Sequence, residues 1–186
     1  MKPFACGLST TAPSALYHGS HKHFVNGAPL LPQPDGYVAM EQQRGSKLEE
    51  LFEQRRPANM ISRAKSVFLS ADPDLIDSSG GCIDAIYEVE PKGKAELSDL
   101  AWYTQAQIEL EATSPDLRFL TRCADSYWAG EPFHDVSSQC PEYRAPAATV
   151  VSLFEINADL DELSPVEMVL SDFELRPVLD GVGPGM

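Results

Sequence analysis

His18 ends a short apolar run, Ala15-Leu16-Tyr17-His18, directly before Gly19-Ser20. A histidine so placed can face a cleft, and the following glycine lets a ligand come close to the backbone. The same position also suits a core or turn histidine. His21 and His23 lie nearby, so the three histidines invite a metal reading. No fixed helical i, i+4 pair exists among them, and no cysteine or carboxylate follows at metal-like spacing. His21 and His23 therefore read as solvated turn residues, and no metal is expected. The chain has no GxGxxG after a strand, no Walker sequence and no GxSxG elbow, so phosphate-loop and nucleophile-elbow chemistries lack their signatures.

These residues need elements to hold them. Residues 15–18 read as a short strand stopped by Gly19-Ser20, and residues 27–36, with three prolines and two glycines, as an irregular loop. Leu48, Leu51 and Phe52 give 47–54 helical spacing, and Pro57 ends that helix. Ser66-Val67-Phe68-Leu69-Ser70 reads as a strand. Residues 82–90 form the clearest strand, closed by Pro91 and Gly93. Ser98 is the expected cap of a helix over 99–112. Ser114 is the expected cap of the next, with Pro115 in its first turn and Gly130 at its end. Residues 131–141 are irregular, Glu142-Tyr143 follows, and 148–156 is a Val-rich strand. Strands with interspersed helices, lacking regular βαβ alternation, predict an α+β domain rather than a doubly wound sheet. Residues 1–15 read as a loose leader, 16–156 as the domain, and 157–186 as an acidic segment. The apolar residues Met168, Val169, Leu170 and Phe173 give that segment a means of packing back on the domain.

Four pieces in order resemble a known family. Leu16-Tyr17-His18-Gly19-Ser20 is similar to the first nucleotide-binding strand of ADP-ribosyltransferases of the diphtheria-toxin and poly-ADP-ribose-polymerase type. Ser66-Val67-Phe68-Leu69-Ser70 resembles their second motif. Ile86-Tyr87-Glu88-Val89-Glu90-Pro91-Lys92-Gly93 resembles a strand of the rifampin ADP-ribosyltransferases and related phage and prophage proteins. Tyr127-Trp128-Ala129-Gly130, then Glu142-Tyr143 before a Val-rich strand, is similar to the third motif. The resemblance spans about Leu16 to Ile156. It implies a split, mixed β-sheet with surrounding helices and NAD⁺ as co-substrate.

The resemblance also assigns roles. Cleaving the nicotinamide–ribose bond expels neutral nicotinamide and leaves an oxocarbenium-like ribose, whose positive charge the site must stabilise. His18 would hydrogen-bond a ribose hydroxyl, Gly19 would offer backbone groups to the nicotinamide amide, and Phe68 would stack on the ring. Glu142 would accept from the ribose 2′-hydroxyl. Arg63, and Lys65 beside it, would meet the pyrophosphate unless they are ordinary surface bases, with Ser20 and Ser70 as minor contacts. Phe68 departs from the family's usual Tyr. The acid has a rifampin-type alternative in Glu96 or Asp99, although Asp99 also suits a helix first turn and Glu142 a solvated loop. Glu88 and Glu90 read as solvent-facing, Tyr127 and Trp128 as core, and Trp102 and Tyr103 as the wall of an acceptor groove.

The expected activity is mono-ADP-ribosyl transfer to a protein acceptor, with NAD⁺ hydrolysis or an inactive acidic inhibitor as alternatives. A small-molecule acceptor such as rifampin rests on the VEP-x-G strand alone. The net charge of −14 over 186 residues argues against general nucleic-acid binding and against docking on anionic lipid. It is compatible with a basic protein partner. From Glu155 onward there are eight acids and one base, Arg176, a net of −7 and half the total. No apolar run reaches membrane-spanning length, and residues 1–16 lack a signal peptide's apolar core. The cysteines Cys6, Cys82, Cys123 and Cys140 form no CxxC pair; their even number allows disulfides, but free thiols in a cytoplasmic chain are expected, and the resemblance implies a bacterial cell or phage-infected host.

Overall fold

The computed structural model describes residues 13–33, 36–78 and 81–157. The 158–186 segment, Cys6 and residues 1–12 lie outside the described residues.

Seven strands and four α-helices follow in the order β1 (Leu16–Ser20), β2 (Pro29–Leu30), α1 (Tyr37–Gln43), α2 (Lys47–Arg55), β3 (Val67–Leu69), β4 (Ala85–Lys92), β5 (Glu96–Asp99), α3 (Leu100–Leu110), α4 (Leu117–Ala129), β6 (Pro141–Ala145) and β7 (Ala147–Ile156). The α+β class is as the sequence indicates. The sheets are not mixed, however. One has the order β1-β4-β7-β2 and the other β3-β6-β5, and every strand pairing is antiparallel. Among the described residues, no helical crossover returns a strand parallel to its neighbour. A single antiparallel bridge, Tyr17 with Ser70, joins the sheets through two backbone hydrogen bonds.

Two apolar clusters result. Leu48, Phe52, Ala106, Leu120, Ala124 and Trp128 belong to a helical cluster built by α2, α3 and α4. Leu16, Val67, Leu69, Tyr87, Val89 and Val150 belong to a sheet cluster. The small sheet lies between them and shows each a different face. Side chains alternate along a strand, so Glu142 and Arg144 point to one side of β6 and Tyr143 to the other. Register places Phe68 and Glu96 opposite Arg144, and Ser98 opposite Glu142. The face built by Phe68, Glu96, Ser98, Glu142 and Arg144 meets the helices, and Val67, Leu69 and Tyr143 pack on the sheet cluster.

Several boundaries move for physical reasons. Ser98 does not cap α3. Residues 96–99 are held as a strand by β6, and Asp99 caps the helix by accepting from Ala101 N–H. Asp116, not Ser114, caps α4, accepting from the Arg118 and Phe119 amides. Gly130 ends α4 as expected, with φ +66, and a Cβ there would lie 2.9 Å from the Leu97 carbonyl oxygen, which requires glycine on both counts. Pro91 sits inside β4 rather than closing it. Helix α1 and strands β2, β5 and β6 have no counterpart in the sequence reading.

Candidate functional site

His18 lies on the seam between the sheets. Its Nδ1 is 3.0 Å from the Phe68 carbonyl oxygen. A carbonyl only accepts, so Nδ1 carries the proton. Burial lowers the pKa of His18 below the ordinary value, more than the hydrogen bond to Phe68 raises it. The ring is therefore neutral at pH 7, and its Nε2 is an acceptor. The β1–β3 bridge fixes this arrangement, since Tyr17 is bonded to Ser70 two residues beyond Phe68.

Phe68, half-buried, carries the line inward. Its ring centroid is 5.4 Å from the Arg63 guanidinium carbon, which also lies over Tyr103 at 4.4 Å and Tyr127 at 5.1 Å. Arg63 Nη1 donates to Glu142 Oε1 at 3.1 Å and to the Tyr127 hydroxyl at 2.5 Å, and Tyr127 donates in turn to Glu142 Oε1. Glu49 approaches Arg63 Nε at 3.5 Å from α2. Arg144 lies over Trp128 at 4.3 Å, donates to the Ile61 carbonyl and Ser98 Oγ, and faces Glu96 at 3.8 Å. Glu49, Arg63, Glu96, Glu142 and Arg144 are all buried.

The electrostatics follow from this packing. Burial works against the charge on Arg63, but Tyr127, Glu142, Glu49 and Tyr103 together hold its pKa above the ordinary value. Burial raises the Tyr127 phenol, with Arg63 and Arg144 opposing and Glu142 adding to the rise. Tyr127 thus stays protonated and donates. Burial pushes the Cys123 and Cys140 thiols up to about 11, so neither is a thiolate nucleophile at neutral pH. Cys82, Cys123 and Cys140 are free.

The fold therefore brings His18, Phe68, Arg63 and Glu142 into one contiguous line. It does not bring Asp99 there. Asp99 Oδ1 accepts from Ala101 and Cys140 N–H, and Oδ2 from Phe133 N–H, so its carboxylate holds α3 against the 131–140 stretch. Glu96 Oε2 accepts from Ile61 N–H. Ser20 Oγ accepts from Lys22 N–H, and Ser70 Oγ binds both the carbonyl and the amide of Asp72. Gly19 admits a chain segment: a Cβ there would lie 2.0 Å from the Cys82 carbonyl oxygen and 2.5 Å from Ile76 Cγ2. Arg63 is buried among acids rather than set out for a pyrophosphate, while Lys65 is exposed. Trp102 and Tyr103 are core residues, 4% and 7% exposed, and line no groove. His21, His23 and Glu90 are exposed.

The sequence reading missed Glu49 and Arg144 and took Tyr127 for plain core. The available signal was the period-two polar pattern Glu96-x-Ser98 and Glu142-x-Arg144, which marks a polar sheet face. Among the described residues, no group of three or more His, Cys, Asp or Glu could hold a metal, and no helix is long and apolar enough to cross a membrane. No family model, curated protein or solved structure matches the chain.

Proposed function

We propose that the protein is an NAD⁺-dependent mono-ADP-ribosyltransferase with the split-sheet fold of that family and a protein acceptor. The observation that carries this reading is the line that runs from His18, bonded to the Phe68 carbonyl where the two sheets meet, through the Phe68 ring to Arg63 and Glu142 on the helix-facing side of the small sheet. His18 Nε2 accepts a hydrogen bond from a ribose hydroxyl, and the half-buried Phe68 ring stacks on the nicotinamide. Glu142 accepts from the 2′-hydroxyl and stabilises the cationic ribose. The C1′–N bond breaks with its electron pair leaving on nicotinamide. The acceptor's nucleophile then bonds to C1′ and gives up its proton to water. Glu142 Oε1 is already engaged by Arg63 and Tyr127, so a ribose hydroxyl is accepted by Oε2 or replaces one of those donors. The net charge of −14 favours a basic acceptor.

The burial of Glu142, at 3% exposure, favours a second reading, an inactive acidic binding protein in which the network is structural. Incubation with labelled NAD⁺ in a bacterial lysate separates the two. Transfer predicts nicotinamide release with label on a macromolecule, abolished by Glu142→Gln and by His18→Ala. Label recovered only as free ADP-ribose identifies an NAD⁺ hydrolase. Unchanged NAD⁺ identifies the binding protein. Release that survives Glu142→Gln but not Asp99→Asn makes Asp99 the acid.

A further inference from the structure

The Arg63 guanidinium fills a box with the chemistry of a planar-cation receptor. Tyr103, Tyr127 and Phe68 present rings 4.4, 5.1 and 5.4 Å from its central carbon, within the range of cation–π attraction. Glu142 and Glu49 supply carboxylates at 3.1 and 3.5 Å. The fit is incomplete. Arg63 Nε has no hydrogen-bond partner, and neither oxygen of the wholly buried Glu49 accepts a hydrogen bond, although buried polar groups are as a rule paired. Two buried carboxylates also face one guanidinium. The walls belong to α2, α3, α4, β3 and β6, whereas the occupant comes from a three-residue 3-10 turn, Arg63–Lys65. Glu49 further lines a cavity of about 540 Å³ together with Gln42, Ser46, Glu50 and Glu53, and that acidic lining concentrates cations beside the box.

We infer that the box is a recognition site for a guanidinium-type planar cation presented by another molecule, and that Arg63 is its internal occupant in the state described. Binding is an exchange: the external cation enters, the 63–65 turn withdraws with Arg63, and the charge inside the box is conserved. A planar delocalised cation gains from all three ring faces and both carboxylates. A compact ammonium gains less from the rings, because it is more strongly hydrated and cannot stack.

The test uses the full chain, with methylguanidinium as probe and methylammonium as control, and involves no NAD⁺. Its failure is thus distinct from failure of the transferase reading. In the wild type, methylguanidinium is expected to speed amide hydrogen exchange across residues 62–66 several-fold, and methylammonium to leave it unchanged. Arg63→Ala empties the box. This variant is expected to gain thermal stability with methylguanidinium well beyond methylammonium and to lose the exchange response. Should Arg63→Ala not fold, Arg63→Gln carries the same measurements, since its amide nitrogen reaches only to the place of Arg63 Nε beside Glu49 and leaves the rest of the guanidinium's place open. Wild-type exchange that ignores methylguanidinium overturns the inference. So does a folded variant that the two probes stabilise equally.

Discussion

Glu142 offers the sharpest test of how the seam is held. Its Oε1 accepts from Arg63 Nη1 at 3.1 Å and from the Tyr127 hydroxyl at 2.5 Å. Arg63 and Tyr127 are fully enclosed, and the remaining carboxylate near Arg63, Glu49, makes no hydrogen bond to it. Glu142→Ala therefore strands a buried guanidinium and a buried phenol. Removing one partner of a buried pair costs about 3–5 kcal/mol, and the phenol's lost acceptor falls within that range. Glu142→Gln keeps an oxygen where both donors need it. It loses only the charge-assisted part of two bonds, about 1 kcal/mol each, and removes one of two carboxylates facing one arginine. The expected losses are about 3–5 kcal/mol for Ala and about 1–2 kcal/mol for Gln, read from urea midpoints at unchanged m-value. Equal losses would refute the acceptor argument. A loss below about 1 kcal/mol for Ala would show that Glu49 alone satisfies Arg63.

His18 is held neutral by burial, so its folded pKa is depressed. The unfolded chain takes up the proton first as pH falls through about 6.5, and stability then drops with a slope of at most about 1.4 kcal/mol per pH unit. His18→Asn should flatten that interval of the urea-stability profile, and an unaltered slope assigns the titration to other groups. Phe68→Ala should weaken NAD⁺ binding by about 0.5–1.5 kcal/mol plus lost burial, and an unchanged NAD⁺ titration removes Phe68 from the site. Gly19→Ala places a methyl 2.0 Å from a backbone oxygen and should cost at least about 1–3 kcal/mol in thermal unfolding; a neutral result would mean that the 76–82 stretch yields easily. Asp99→Asn turns an amide donor toward N–H groups the carboxylate now satisfies, so circular dichroism should show lost stability, with NAD⁺ turnover falling only as folded protein falls.

The helices were legible where apolar spacing and caps agree. Leu48, Leu51 and Phe52 locate α2 to within a residue of its observed end, and Gly130 marks the end of α4 because its left-handed φ and tight contact leave no other choice. The strands β1, β3, β4 and β7 were legible from their apolar runs. The rest of the small sheet was not. Its β5 and β6 carry polar side chains on the face turned to the helices, so the pattern that ordinarily marks solvent marks the interior here. The site inherits this. His18 and Phe68 were visible as a strand-end histidine and a strand aromatic. The engagement of Arg63 with Glu142 depends on β3 and β6 being neighbours across a separation of 79 residues, which no local pattern encodes. Glu49 was hidden for a different reason: it is one of two acids in the first turn of α2, where a glutamate reads as solvated.

The existence of the network bears on function in its own right. A seam between a small sheet and three helices can be closed by apolar side chains, and replacing buried ion pairs with hydrophobic residues of similar volume is often neutral or stabilising by about 1–4 kcal/mol. Stability alone therefore does not require the side chains of Glu49, Arg63, Glu142 and Arg144 inside the domain. The aromatic rings of Tyr103, Tyr127 and Trp128 already supply the bulk that such a seam needs. What the charged groups add is direction: a guanidinium held over three rings, an acid whose Oε1 is fixed by two donors, and a neutral histidine at the seam with an acceptor nitrogen. Each is a feature that a ligand of matching chemistry can engage and that an apolar replacement could not provide.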